Sequence, residues 1–189
     1  LEGPQTYRLS RLLRGQLGSE YALATDVPAG APFVLLDSHV VPVARGVGAV
    51  ERSMRLRVVA SGRAHDDPSG VEIALTPANT ALRPLAPVHA TARRRSDGIH
   101  LTWIRRTRRD GDGWAGEVPL GESSESYAVD ILDGVSLKRR IVTSEPRAIY
   151  SIADELSDFG SAKTSLHVRI AQISGEVGDG FPLDTNLTV

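Results

Sequence analysis

Apolar residues along most of this chain recur at every second position, the period that turns one side of an extended strand toward a core and the other toward water. Met54, Leu56, Val58 and Ala60 alternate with Ser53, Arg55, Arg57 and Val59, which sets the arginines on the opposite face. Ile99, Leu101 and Trp103 alternate in the same way with His100 and Thr102. So do Tyr127, Val129 and Ile131 with Ala128 and Asp130, and Leu166, Val168 and Ile170 with His167 and Arg169. Each run predicts a half-buried antiparallel strand. Turn signals separate the runs: Pro28-Ala29-Gly30, Asp66-Asp67-Pro68-Ser69-Gly70, Ser96-Asp97-Gly98, Asp110-Gly111-Asp112-Gly113, Asp133-Gly134 and Gly178-Asp179-Gly180. Asp-Gly accepts the positive φ of a tight reversal, so several of these read as hairpins.

Helical periodicity is scarce. The one clear segment runs from Ile152 to Phe159, with Ser151 as N-cap, Asp154 and Glu155 at the positive end of the dipole, and Gly160 as terminator. Arg11 to Gly15 fits a single helical turn, although Leu12 and Leu13 also fit a strand end. Thr76 to Pro87 holds three prolines and no periodicity, the mark of an extended connector.

These elements predict a mainly β chain with a small antiparallel β domain over residues 1–78, a Pro-containing linker over 79–87, and a fibronectin-III-like β-sandwich over 88–189. The sandwich follows from roughly seven strands with turn signals about every ten residues. Trp103 and Tyr127 would be its large fillers between sheets.

Composition narrows the function. In 189 residues, 22 Lys+Arg stand against 23 Asp+Glu, a net charge of -1, which argues against nucleic acid as the main partner. No run approaches the ~20 apolar residues of a membrane span, so the chain reads as soluble. With no cysteine, disulfides, thiolate nucleophiles and Cys-ligated metals are ruled out. The only methionine is Met54, so Leu1 is not a translation start and further chain is expected before it.

Candidate chemistry is thin. Five histidines, His39, His65, His89, His100 and His167, show neither i, i+4 spacing nor an H-E-x-x-H pattern. His89 and His100 sit on adjacent expected strands, but a metal site would need a third ligand that the sequence does not supply. His65-Asp66-Asp67 precedes Pro-Ser-Gly and reads as a solvated hairpin tip. A calcium loop starting at Asp110 would place Trp114 fifth and Gly121 twelfth, without the required ligands. Glu117, Glu122 and Glu125 could furnish a glycosidase carboxylate pair, yet nothing fixes their separation. There is no G-x-S-x-G elbow, and Gly175, Gly178 and Gly180 reverse the dinucleotide fingerprint with no helix after them. No cofactor is expected.

The arginine runs, Arg93-Arg94-Arg95 and then Arg105, Arg106, Arg108 and Arg109, flank the first hairpin of the expected sandwich. A basic patch beside Trp103 and Trp114 could bind phosphate, sulfated sugar or single-stranded nucleic acid. Trp103, however, is in phase with the core positions, and nearby acids can pair with the arginines across strands. The favoured reading is a salt-bridged surface or subunit interface formed by Arg105, Arg106, Arg108, Arg109, Glu122, Glu125 and Trp114.

Three stretches carry a family resemblance. They are Ala81-Leu82-Arg83-Pro84-Leu85-Ala86-Pro87-Val88, then Leu101-Thr102-Trp103-Ile104-Arg105-Arg106-Thr107-Arg108, then Trp114 with Val118-Pro119-Leu120-Gly121-Glu122 and Glu125-x-Tyr127. They resemble the C-terminal region of the large tail-tip hub protein of gene transfer agents and related siphophages. Tyr7-Arg8-Leu9 and Leu12-Leu13-Arg14-Gly15-Gln16-x-Gly18-Ser19-Glu20 are similar to an "LLRG-x-x-G-T-E" segment of such proteins, with Ser19 in place of threonine. The resemblance covers about residues 7 to 132. It implies a baseplate component of a virion or gene transfer agent particle, at the tail tip, assembled as a homotrimer with other tail proteins and facing host envelope polysaccharide. It also implies an upstream TIM-barrel-like glycoside-hydrolase-type domain, so no catalytic residue is carried onto this chain and no enzymatic activity is expected of it. Two rival readings are a carbohydrate-binding module, with Trp114 as its aromatic platform, and a glycan hydrolase working through the acidic loop.

Overall fold

The computed structural model describes residues 3, 6–16, 19–23, 26–43, 51–111 and 118–189. The chain is mainly β and divides into two compact units, Val27–Leu82 and the combination of Leu1–Asp26 with Arg83–Val189. The first 26 residues therefore group with the sandwich and not with a small β domain over residues 1–78.

The smaller unit contains one hairpin, β1 (Met54–Val58) against β2 (Val71–Leu75). Its register pairs Met54 with Leu75, Leu56 with Ile73 and Val58 with Val71, so six apolar side chains share one face. Arg55, Arg57, Glu72 and Ala74 occupy the other. Arg57 donates to Glu72 Oε1 at 3.0 Å and to the Asp67 carbonyl at 2.9 Å, tying the loop to the charged face. At the tip, Asp67 Oδ1 accepts from the Ser69 N–H (2.9 Å) and hydroxyl (2.6 Å), and these bonds hold its carboxyl below the usual range. Residues 27–43 carry turns at Pro28–Ala31 and Asp37–Val40 but no strand. None of the buried apolar residues that form the chain's core belongs to this unit.

The larger unit is the sandwich. Its first sheet runs β3 (Val88–Arg95), β4 (Gly98–Ile104), β7 (Arg147–Ser151), and its second runs β10 (Leu183–Thr188), β8 (Ser165–Ser174), β5 (Tyr127–Asp133), β6 (Ser136–Thr143). A two-residue strand, β9 (Gly178–Asp179), pairs with β8. All pairings are antiparallel. Three strands facing four in this order is the fibronectin type III layout. Between the sheets lie Ile99, Leu101, Trp103, Tyr127, Val129, Ile131, Tyr150, Leu166, Val168 and Ile170, in phase with the alternation read from the sequence. Trp103 and Tyr127 meet edge to face at 5.3 Å between ring centroids.

The helix α1 spans Ile152–Phe159. Ser151 Oγ accepts from the Asp154 N–H at 3.1 Å, and Gly160 closes the helix at φ 71°, its N–H bonding the Leu156 carbonyl at 2.8 Å. Only a residue tolerant of the left-handed region ends a helix in this way.

Three expectations are corrected. Strand β5 is buried on both faces rather than half-buried, because it is central in its sheet and its outward Asp130 is covered by arginine. The helical turn expected at Arg11 to Gly15 is absent; Arg11 sits at φ 55°, outside the right-handed region, and a 3-10 turn forms instead at Glu20–Ala22. The connector is not simply extended, since Thr80–Leu82 form a 3-10 turn and Pro84 and Pro87 are buried.

Candidate functional site

The arginine run leaves the end of β4 and folds onto acceptors of its own chain. Arg105 donates to the Pro119 carbonyl at 2.7 Å and to the Val118 carbonyl, and its Nε lies 3.8 Å from Glu125 Oε1. Glu125 also accepts from the Tyr127 hydroxyl at 2.7 Å. Burial, reinforced by that carboxylate, pushes the Tyr127 phenol well above its ordinary value. Arg106 bonds Glu20 in the N-terminal 3-10 turn. Arg108 pairs with Glu122 at 3.0 Å with side chains only 14% and 6% exposed. Arg109 is different: its backbone N–H and carbonyl both engage the Thr107 hydroxyl, and its side chain makes no ion pair among the described residues.

The structure thus brings Arg105, Arg106, Arg108, Glu122 and Glu125 into one neutralised cluster. Trp114 and Glu117 lie outside the described residues. A cleft of about 300 Å³ opens beside the cluster, lined by Arg108, Arg109, Gly121, Glu122, Ser123 and Glu176. Of the candidate hydrolytic carboxylates Glu117, Glu122 and Glu125, the two that lie among the described residues each face a guanidinium, Glu122 that of Arg108 and Glu125 that of Arg105. An arrangement of this kind fixes loops. Within it the guanidiniums of Arg105, Arg106 and Arg108 are each matched by a carboxylate, of Glu125, Glu20 and Glu122 in turn.

Two further charge networks lie outside the sequence reading. In the first, Arg94 grips Glu155 through two bonds of 2.9 and 2.8 Å, and Glu155 Oε1 also takes the Lys163 N–H at 2.7 Å. Glu155 is 1% exposed, and its carboxyl is held low chiefly by the Arg94 bond. Beside it Arg139 binds Asp158 at 2.7 and 3.0 Å and Asp154 at 3.1 Å, and Tyr150 donates to Asp158 at 2.8 Å. These bonds depress Asp158, while burial raises the Tyr150 phenol. The networks lock α1 across the edge of the sandwich.

The second network crosses the outer face of the four-stranded sheet as a row of alternating charge. Arg140 of β6 binds Asp130 of β5 at 2.7 and 3.2 Å, Arg169 of β8 stands opposite Asp130, and Arg169 binds Asp184 of β10 at 2.8 and 3.1 Å. Arg140 also reaches Asp179 at 2.7 Å, and His167 reaches Asp184 at 2.6 Å. Hydrogen bonds from His167 and Arg169 keep the Asp184 carboxyl low. The alternation sets Asp130 and Arg169 on outward positions, but the pairing across to β6 depends on a bulge that it does not reveal.

The histidines do not converge. His100 bonds Asp97 at 2.7 Å and stands opposite Arg93 and Ile149, whereas His89 falls in an irregular stretch of β3 at φ 54°. Among the described residues no group of three or more His, Asp or Glu is placed to hold a metal ion, and no helix is long and apolar enough to cross a membrane.

Residues 1–34 match a family model described as Rcc01698-like, C-terminal. No curated protein matches the chain. Among solved structures, domains d3-d4 of the rat CD45 extracellular region are similar at 12% identity and a TM-score of 0.41, over 99% of this chain and 85% of that one, a likeness too loose to carry an argument.

Proposed function

We propose that this chain is a structural component of the tail tip of a phage-like particle, part of a baseplate hub, and that it works by presenting surfaces for assembly and host-envelope contact rather than by catalysis. The observation that carries the reading is the surface of the Val27–Leu82 unit. There Val34, Leu36, Val41, Val43, Val58, Val71 and Ile73 are all exposed, Leu36 to 81%, and among the described residues of the unit none forms a buried apolar core for the β1–β2 hairpin to join. A two-stranded hairpin is marginal on its own, and exposed apolar side chains in such number are what assembly interfaces cover. The matched family name is consistent with a gene-transfer-agent-related protein, which supports the particle context. The motifs of residues 7–20 and 81–127 support the tail-tip assignment. The self-neutralised arginine cluster, with its acids already paired, suits a load-bearing joint better than an active site.

Immuno-electron microscopy tests the proposal. Antibody raised against the sandwich should label one end of tailed particles released by the source cells, and the chain should co-purify with them. Particles that lack the chain, or label distributed over heads, would overturn it.

A further inference from the structure

We infer that Phe181 is a bracket: its ring clamps the two stretches of chain that lead into and out of the Val27–Leu82 unit, so that both exits leave the sandwich from one fixed point. In sequence, that unit interrupts the sandwich unit between Asp26 and Arg83. On the entry side, the Tyr21 ring stacks on Phe181 at 4.6 Å between centroids and 5° between planes. On the exit side, the Arg83 guanidinium lies 4.5 Å from the centroid of the same ring. The same ring therefore takes one contact from each stem, a phenol layered on it and a guanidinium over it.

Each layer is fixed by bonds of its own. Arg83 donates to the Asp179 carbonyl at 3.2 Å and the Gly180 carbonyl at 2.8 Å, and the Phe181 N–H bonds the Pro84 carbonyl at 2.9 Å. The approach is close enough that a Cβ on Gly180 would stand 2.8 Å from Pro84 and from the Gln172 carbonyl. On the other side, Glu20 bonds Arg106, and the Leu23 N–H closes the 3-10 turn on the Glu20 carbonyl at 2.9 Å. Among the described residues neither stem is a strand of the sandwich, so each is held only by such isolated bonds and by the ring, and a shared ring orders both stems together. The bracket also explains why the first 26 residues group with the sandwich. The inference holds whether or not the chain belongs to a tail tip, since it concerns only how the stems are held.

The absence of native cysteine makes the test direct. In the full chain, Ala22→Cys and Ala86→Cys carry spin labels, one on each stem. The distance distribution should be single and narrow in the parent and broad with Phe181→Leu. In the unlabelled Phe181→Leu chain, amide exchange should accelerate about tenfold at residues 19–23 and at residue 181, whose N–H bonds the Pro84 carbonyl of the exit stem, as loss of both ring contacts predicts, while β5 and β8 keep their protection. Tyr21→Leu, at a half-exposed position that cannot unfold the core, provides a second route and should release residues 19–23 while leaving the Phe181 N–H, bonded to the Pro84 carbonyl of the exit stem, protected. A narrow distribution in Phe181→Leu, or acceleration of neither stem or of only one, would overturn the inference. So would a Tyr21→Leu chain whose residues 19–23 stay as protected as in the parent.

Discussion

The sandwich and the Val27–Leu82 unit are written in the same alternating pattern, yet only one of them satisfies it. On β4, β5 and β8 every inward apolar residue meets another across the gap, and Ile99, Tyr127, Val129, Ile131, Val168 and Ile170 lose all contact with water. On β1 and β2 the equally regular row of Met54, Leu56, Val58, Val71, Ile73 and Leu75 has no second sheet within its own unit among the described residues, and Ile73 remains 48% exposed. Periodicity therefore reports that a face wants burial but not whether its own chain supplies the cover. The difference lies in partner strands: seven long ones close a sandwich, and two cannot.

The largest effect should come from the closed side of this contrast. Ile131→Ala leaves a cavity between two filled sheets and should cost about 2–5 kcal/mol in a denaturant titration followed by tryptophan fluorescence. If it unfolds as easily as the parent, the core is not continuous at β5 and the contrast fails.

Next in size is the ion pair at the sandwich edge. Glu155→Gln leaves Arg94 and the Lys163 N–H facing a weaker acceptor. Arg94 is more than a third exposed and water can compensate it, so the loss should be about 1–2 kcal/mol, below the range for a fully buried pair. A change under ~0.5 kcal/mol would show that packing of α1, not the charge pair, holds that edge.

The pH profile sharpens the same point. Glu155 and Asp158 have folded pKa values below their unfolded ones, so their contribution is complete above the unfolded carboxylate pKa of about 4 and is lost as pH falls through the folded values. Tyr127 and Tyr150 are shifted upward, so their contribution is complete below about pH 10 and fades as pH rises beyond it. Melting temperatures from circular dichroism should be flat between these limits and fall on both sides. With Glu155→Gln the acid limb should be clearly shallower and the alkaline limb only slightly so, because Glu155 is the smallest of the causes that raise Tyr150.

What could be read in advance divides along physical lines. The core strands, the α1 cap at Ser151 and the Gly160 stop were legible because each depends on neighbours a few residues away. The charge row was not, because it depends on a bulge. Leu132 pairs with Leu137 and Asp133 with Ser136, a register that would set Asp130 opposite Arg139. One extra residue on β6 shifts the pairing and brings Arg140 opposite Asp130 instead, freeing Arg139 to reach α1. The expected surface of Arg105, Arg106, Arg108, Glu122 and Glu125 was visible as charge near charge. Its exact partners were not, since Arg106 finds Glu20 from a segment placed by the Phe181 stack. That contact spans most of the chain and leaves no local trace.

The smallest expected change is the one most specific to the open side. Ile73→Asp puts a carboxylate in the middle of the apolar hairpin face, a substitution that would be ruinous at Ile131, where no water could reach the charge. At Ile73 the side chain is already half in water, so the free chain should keep its sandwich transition within about 0.5 kcal/mol of the parent. Incorporation into particles should fall at the same time, because the charge would be buried only once a partner covers the face. Equal incorporation of parent and variant would mean that the hairpin face stays open in the assembly, and its six apolar positions would then need another explanation. A large loss of sandwich stability would mean that β1 and β2 already share a core with the strands that follow.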